Sequence, residues 1–132
     1  MTPPSFLPSF LIDTHVLLWL DDAPARLSEH ILGLLRDTRH TVYCSAASLW
    51  EIAIKQSLNK LEVKGPLPAM LERYGITELP VTARYAELTR SLPMHHRDFF
   101  DRMLVVQAMA ENLVLVSADR QMLAYEVAIL SC

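Results

Sequence analysis

The stretch "LVLVSAD" at residues 113–119 carries the clearest strand signal in the sequence. A short apolar run rich in Val and Leu, ended by polar residues, is typical of a strand buried on both faces of a parallel sheet. Comparable runs occur elsewhere, so the chain is expected to contain several such strands. The predicted strands are "SFLI" (9–12), "TVYC" (41–44), one within "ITELPV" (76–81), "LVLVS" (113–117) and "VAIL" (127–130).

Segments with helical periodicity separate these runs. The predicted helices span about 14–20, 28–39, 46–58, a short segment ending at 74, 82–92, 98–111 and a short segment after Asp119. Strands that alternate with helices predict an α/β fold in which a parallel sheet of four to five strands is covered on both faces. In such sheets, functional sites form beyond the carboxyl ends of the strands.

Length and composition restrict the class of protein. The 132 residues predict a single domain over residues 10–132, preceded by a loose lead-in over residues 1–9. The net charge of −3 provides no bulk attraction to nucleic acid, so binding there requires a local basic patch. Three glycines are too few for a P-loop or a dinucleotide-binding motif.

The cysteines, the N-terminus and the lengths of the apolar runs indicate the cellular compartment. Cys44 and Cys132 form no C-x-x-C pair, and two idle thiols in a reducing cytosol are expected. The N-terminus lacks the basic region of a signal peptide, and the sequence has no run of ~18 apolar residues. We therefore expect a cytoplasmic protein without a membrane span.

Four acidic residues are expected at one edge of the sheet. Asp13 follows the first strand, Asp119 follows the fourth, and Glu51 lies in the helix after the second. Each has an ordinary alternative: Asp13 and Asp119 as helix N-caps, and Glu51 in an ion pair with Lys55 four residues on. Asp101, the fourth acid, lies near the start of the helix before the fourth strand.

Helical spacing directs Asp101 toward the sheet. Leu104, Val105 and Ala108 follow it at i+3, i+4 and i+7, which places all four residues on one stripe of the helix. The alternative is a capping box, with Asp98 as N-cap and Asp101 at the N3 position. In either case, Asp98 is expected to cap this helix.

A cluster of four carboxylates requires a counter-charge. Two carboxylates ~4 Å apart repel by roughly 1 kcal/mol in water and by ~4 kcal/mol at an effective dielectric of 20. Without a cation, their pKa values would be raised. Hard oxygen ligands favour Mg²⁺ or Mn²⁺, which are suited to phosphodiester hydrolysis. The sequence therefore predicts a Mg²⁺- or Mn²⁺-dependent site.

Four blocks of sequence resemble the motifs of PIN-domain ribonucleases, and especially the VapC-type toxins of type II toxin–antitoxin systems. In family order, these blocks are "LIDTHVLLW" (11–19), "SAASLWEIAIK" (45–55), "LPMHHRDFFDRMLVVQA" (92–108) and "LVLVSADRQMLAY" (113–125). The resemblance covers about residues 10–130. It implies a three-layer α/β/α sandwich, metal-dependent RNA cleavage, a homodimer, and a small cognate antitoxin that blocks the site.

The resemblance also assigns roles to single residues. It places the family's catalytic acids at Asp13, Glu51, Asp101 and Asp119. We expect Asp13, Asp101 and Asp119 to hold the metal, and Glu51 to complete the shell or orient the attacking water. Supporting roles are expected for Thr14, Ser117 and Asp98. In related sequences Pro often stands where this chain has Phe99, and Pro at the first helical position preorganises a helix start.

Basic residues near the expected site are candidates for contact with RNA phosphates. They are Lys55, Arg97, Arg102 and Arg120, with Lys60 and Lys64 further along the same edge. His95 and His96 are expected to be bystanders, with metal ligation or general-acid catalysis as the less favoured alternative.

Two other classes of function remain open. One is a catalytically inactive PIN module that serves as a protein-binding partner. The other is a phosphoacceptor or phosphatase domain that uses Asp13. The second is disfavoured because "ELPVT" (78–82) offers no acid after the third strand, and because His15 stands where a second Asp would be required.

Overall fold

A five-stranded parallel sheet forms the centre of the molecule, in the order β3-β2-β1-β4-β5. The structure is a computed structural model that describes residues 7–125 and 127–131. The strands are β1 (Phe10–Ile12), β2 (Val42–Ser45), β3 (Thr77–Leu79), β4 (Val114–Ser117) and β5 (Ile129–Ser131). Every neighbouring pair is parallel, which confirms the predicted sheet.

Within the described residues, six α-helices flank the sheet. They are α1 (Thr14–Asp22), α2 (Glu29–Arg36), α3 (Ala46–Ser57), α4 (Leu67–Arg73), α5 (Ala83–Leu88) and α6 (Phe99–Glu111). Short 3₁₀ helices follow α1, α5 and β4, at Pro24–Arg26, Thr89–Ser91 and Arg120–Ala124. The predicted helix over 82–92 is therefore an α-helical turn and a half that tightens into a 3₁₀ turn.

Side chains of the central strand alternate between two cores. Phe10 and Ile12 belong to one cluster, together with Val16 of α1 and Ile52 of α3. Leu11 points to the opposite face. It packs in the second cluster, whose helical members include Leu104, Val105 and Ala108 of α6. The sheet is therefore covered on both faces, as expected for an α/β/α sandwich.

The strand order creates a crevice at one edge. From β1 the chain adds β2 and then β3 on one side, and it returns to place β4 on the other side of β1. Such a reversal is a topological switch point, where open α/β sheets bind ligands beyond the carboxyl ends of the strands. The main-chain N–H of Asp13 donates to the carbonyl of Val116 at 3.1 Å, which joins β1 to β4 at this point.

Two of the sequence expectations fall wholly or partly outside this description. Residues 1–6 of the predicted lead-in and Cys132 lie outside the described residues. Cys44 is buried, and burial raises the pKa of its thiol to about 12, so it is an unreactive core group. Among the described residues, no helix is both long enough and apolar enough to cross a membrane.

Candidate active site

A cavity of about 420 Å³ opens beyond the carboxyl ends of β1 and β4. The structure brings all four predicted acids into its lining. The lining residues are Asp13, Thr14, His15, Trp19, Glu51, Lys55, His96, Asp98, Asp101, Ala118 and Asp119. The carboxylates therefore converge as the sheet edge predicts.

Asp13 is both a helix cap and a member of the site. It is the N-cap of α1, and its Oδ1 accepts a hydrogen bond from the N–H of Val16 at 2.9 Å. Its Oδ2 accepts one from the Ser117 hydroxyl at 2.6 Å. Burial raises the pKa of Asp13, although both hydrogen bonds act in the opposite direction. Capping thus orients the carboxylate without removing it from the cavity.

Glu51 is held at both carboxylate oxygens. The Thr14 hydroxyl donates to its Oε1 at 2.6 Å, and the Lys55 ammonium lies 3.2 Å from its Oε2. Glu51 itself is buried, whereas the Lys55 side chain is 41% exposed. The predicted ion pair with Lys55 is therefore present, and it holds the positively charged Lys55 side chain at the wall of the cavity.

Asp101 is the most perturbed acid of the site. Its pKa is raised to about 7, first because the carboxyl is desolvated and then because Asp98, Asp13 and Glu51 repel a negative charge there. Asp98 is the N-cap of α6, as predicted. Its Oδ1 accepts hydrogen bonds from the N–H groups of Phe100 and Asp101 at 2.8 and 3.2 Å. The cap thereby places a fifth carboxylate beside the quartet.

His96 contradicts the expectation that it is a bystander. Its imidazole is buried, with Nε2 2.7 Å from Oδ2 of Asp119 and 3.2 Å from Oδ2 of Asp101. Partial burial would raise the pKa of Asp119, but the hydrogen bond with His96 and one from the N–H of Gln121 lower it overall. The pKa values of these two acids are therefore shifted in opposite directions, so that Asp119 is ionised at pH values at which Asp101 still holds its proton.

Arg102 also departs from its expected role as a contact for RNA. Only 7% of the residue is exposed, and its guanidinium donates to the carbonyls of Pro93, Leu92 and Thr89 at 3.0 to 3.3 Å. A group held this way closes a loop and has no free N–H fork for a phosphate. The other candidates, Arg97, Arg120, Lys60 and Lys64, are exposed.

The donor set of the cavity fits a divalent cation. Two observations support this: desolvated carboxyl groups whose charges repel, and carboxylate oxygens of Asp101 and Asp119 that lie within 4.8 Å of each other beside His96. A cation would relieve the repulsion that raises the pKa of Asp101. Carboxylate oxygens are the ligands that Mg²⁺ and Mn²⁺ prefer.

Sequence reasoning missed His96 because no local signal marks it. Its partner Asp119 lies 23 residues further on, so neither helical nor strand periodicity relates the two. His15 and Trp19 also line the cavity, one turn apart on α1, with ring centroids 5.9 Å apart. That i, i+4 spacing beside Asp13 is a signal from which their place at the site could have been found.

Known proteins share this fold. VapBC2 from Rickettsia felis, solved bound to a promoter DNA fragment, is 15% identical, with a TM-score of 0.70 over 92% of this chain and 97% of that chain. DNA-bound VapBC from Salmonella typhimurium is 16% identical, with a TM-score of 0.63 over 94% and 98%. FitAcB from Neisseria gonorrhoeae is 21% identical, with a TM-score of 0.57 over 92% and 96%.

Sequence comparison gives a family but no individual relative. No curated protein matches the chain. The PIN domain model matches residues 10–128, which include all four converging acids. The chain therefore belongs to the PIN-domain family, whose members are generally nucleases.

Proposed function

We propose that this protein is a VapC-type toxin: a Mg²⁺- or Mn²⁺-dependent endoribonuclease that a cognate antitoxin inhibits. The observation that carries the proposal is the convergence of Asp13, Glu51, Asp101 and Asp119 in one cavity at the switch point of the sheet. A carboxyl group with a pKa near 7 among other acids is characteristic of a functional site.

Each acid has a distinct part in the proposed chemistry. Asp13, Asp101 and Asp119 hold the cation. When bound, a divalent cation stabilises charge on the phosphate oxygens and makes water a stronger nucleophile. Glu51 orients the attacking water, since Thr14 and Lys55 fix both of its oxygens. The hydroxyl of Ser117 keeps the Asp13 carboxylate in its rotamer.

The basic groups around the cavity provide for substrate binding. Lys55 lies at its lining, and exposed Arg97 and Arg120 are close in sequence to the site acids Asp98 and Asp119. Such cations bind phosphates through charge and counterion release, without reading the base sequence. We assign them to the RNA backbone.

The proposed partners rest on the structural neighbours and on the sequence motifs. VapBC proteins are toxin–antitoxin complexes, and two of those solved are bound to DNA. By analogy, this chain pairs with a small antitoxin and forms a homodimer. Light scattering of the purified chain, alone and with the product of a neighbouring short reading frame, measures both assemblies.

Cleavage of RNA tests the proposed activity. The purified chain is incubated with a labelled RNA and with DNA of the same sequence, with Mn²⁺, with Mg²⁺ or with EDTA. We expect metal-dependent cleavage of RNA only, lost in Asp101→Asn and retained in Glu72→Gln, an exposed acid outside the cavity. Persistent cleavage in excess EDTA would contradict the proposed metal dependence.

Growth separates the toxin from an inactive binding module. Expression of the chain without its antitoxin is expected to arrest growth, and Asp101→Asn is expected to relieve the arrest. A catalytically inactive binding module is expected not to arrest growth. Absence of arrest, or equal arrest by both forms, would therefore favour the inactive module.

A further inference from the structure

The imidazole of His96 lies between two acids of the site. Its Nε2 is 2.7 Å from Oδ2 of Asp119 and 3.2 Å from Oδ2 of Asp101, and only 9% of the side chain is exposed. One acid belongs to the first turn of α6 and the other follows β4. A single ring nitrogen thus connects two separate elements of the fold.

The other ring nitrogen determines which tautomer is present. The main-chain N–H of Asp98 donates to Nδ1 of His96 at 3.1 Å. A nitrogen that accepts a hydrogen bond carries no proton, so the proton of the neutral ring lies on Nε2. In this tautomer Nε2 donates to Asp119 and has no lone pair for a metal ion. The geometry therefore favours a donor over a ligand.

The main chain of His96 is also held in place. The Tyr125 hydroxyl accepts hydrogen bonds from the N–H groups of His95 and His96 at 3.1 and 2.9 Å. It accepts a third from the Arg102 guanidinium at 3.3 Å, and the His95 ring packs edge-on against the Tyr125 ring. These contacts fix the segment that leads into α6, so the ring has little freedom to leave its position.

We propose that His96 is a positioning residue that prepares the carboxylates of Asp119 and Asp101 for a cation. Its Nε2–H fixes Oδ2 of Asp119, while the N–H of Gln121 fixes Oδ1 at 2.9 Å. Each oxygen keeps a second lone pair for a metal. The role in metal binding rests on the proposed function, whereas the tautomer and its hydrogen bonds do not.

Substitutions at position 96 separate a donor from a ligand. Gln carries an N–H donor and a carbonyl acceptor, so His96→Gln retains both hydrogen bonds of the ring without its basic nitrogen. His96→Leu removes both. The exposed His30 of α2 supplies the matched controls His30→Gln and His30→Leu. Thermal melting of each variant establishes that it is folded.

Titration with Mn²⁺, followed by electron paramagnetic resonance and calorimetry, measures the effect without any cleavage assay. We expect His96→Leu to weaken Mn²⁺ binding about 10- to 100-fold, the range found when groups that orient metal ligands are removed. We expect His96→Gln to stay within about threefold of the wild type, and wild-type Mn²⁺ spectra to contain no coupling to a histidine nitrogen.

Several outcomes would overturn the inference. Nitrogen coupling in the wild type, together with equal losses in both position-96 variants, would make His96 a ligand. Unchanged affinity in His96→Leu would leave it without a role. If His96→Leu does not fold, nitrogen NMR of the wild-type protein determines the tautomer of the His96 ring. A proton on Nδ1 would then refute the proposal that Nε2 is the donor. Wild-type protein that binds no Mn²⁺ would refute this inference and the proposed metal dependence together, whereas Mn²⁺ binding without RNA cleavage would refute only the proposed function.

Discussion

The substitution Asp101→Asn is expected to stabilise the metal-free protein while it removes activity. The pKa of Asp101 is raised from 3.8 to about 7, first by burial and then by repulsion from Asp98. Between these values the folded chain holds a proton that the unfolded chain has lost. Because the folded state binds more protons there, its stability falls as the pH rises from about 4 to about 7. An amide has no such proton to lose.

The pKa difference sets the size of the effect. A difference of about 3 corresponds to at most about 4 kcal/mol above pH 7. The carboxyl borders an open cavity, so solvent screening reduces this to about 2 kcal/mol. At roughly 4 °C per kcal/mol for a domain of this size, Asp101→Asn should melt about 8 °C higher at pH 8 in EDTA.

Thermal melting by circular dichroism, in EDTA from pH 4 to pH 8, measures the difference. We expect it to be small at pH 4 and to grow through pH 7, and Glu72→Gln to follow the wild type throughout. Added Mn²⁺ should raise the melting temperature of the wild type and of Glu72→Gln but not that of Asp101→Asn, because a ligand that binds only the folded state stabilises it. A melting temperature for Asp101→Asn at or below that of the wild type at pH 8 would refute the reasoning.

Three further predictions follow from individual contacts. Protons compete with the cation at Asp101, so Mn²⁺ affinity by calorimetry should fall about tenfold per pH unit below 7, and a flat profile would exclude this carboxyl as a ligand. Arg102→Met should destabilise the fold by about 3 kcal/mol in urea unfolding, since loop carbonyls lose their donors, whereas Arg120→Ala should change stability by less than ~0.5 kcal/mol. Thr14→Val should cost about 2 kcal/mol by the same assay, since it removes a donor to the buried Glu51 carboxylate; an unchanged midpoint would refute that hydrogen bond.

Periodicity and the positions of the strand ends located most of the fold and the sheet edge at which the four acids converge. The stripe of Leu104, Val105 and Ala108 is buried as predicted, and it directs Asp101 into the cavity. Asp13 and its strand were equally readable, because a parallel strand buried on both faces is an unbroken apolar run. These features are local: each depends on residues within two turns of helix or one strand.

The hydrogen-bond partners of the charged side chains could not be predicted from local sequence patterns. The sequence treated Arg102 as a phosphate contact and His96 as a bystander, and the structure reverses both interpretations. Arg102 donates to carbonyls 9 to 13 residues away, and His96 to an acid 23 residues away. Charge and spacing do not determine such contacts, because they depend on the path of the loop before α6.

The sequence by itself therefore determined the alternation of strands and helices, the parallel sheet and the edge where four acids meet. The periodicity of buried residues is visible in the sequence itself. The carboxyl ends of parallel strands also lie at the same edge of the sheet, independently of the loop conformations. Only the tertiary structure decided how those acids are held. Which oxygen accepts from Ser117, Thr14 or His96 depends on distances of a few tenths of an ångström between segments remote in sequence. Hydrogen bonds weaken steeply outside that range, so their partners are fixed only once the whole fold has packed.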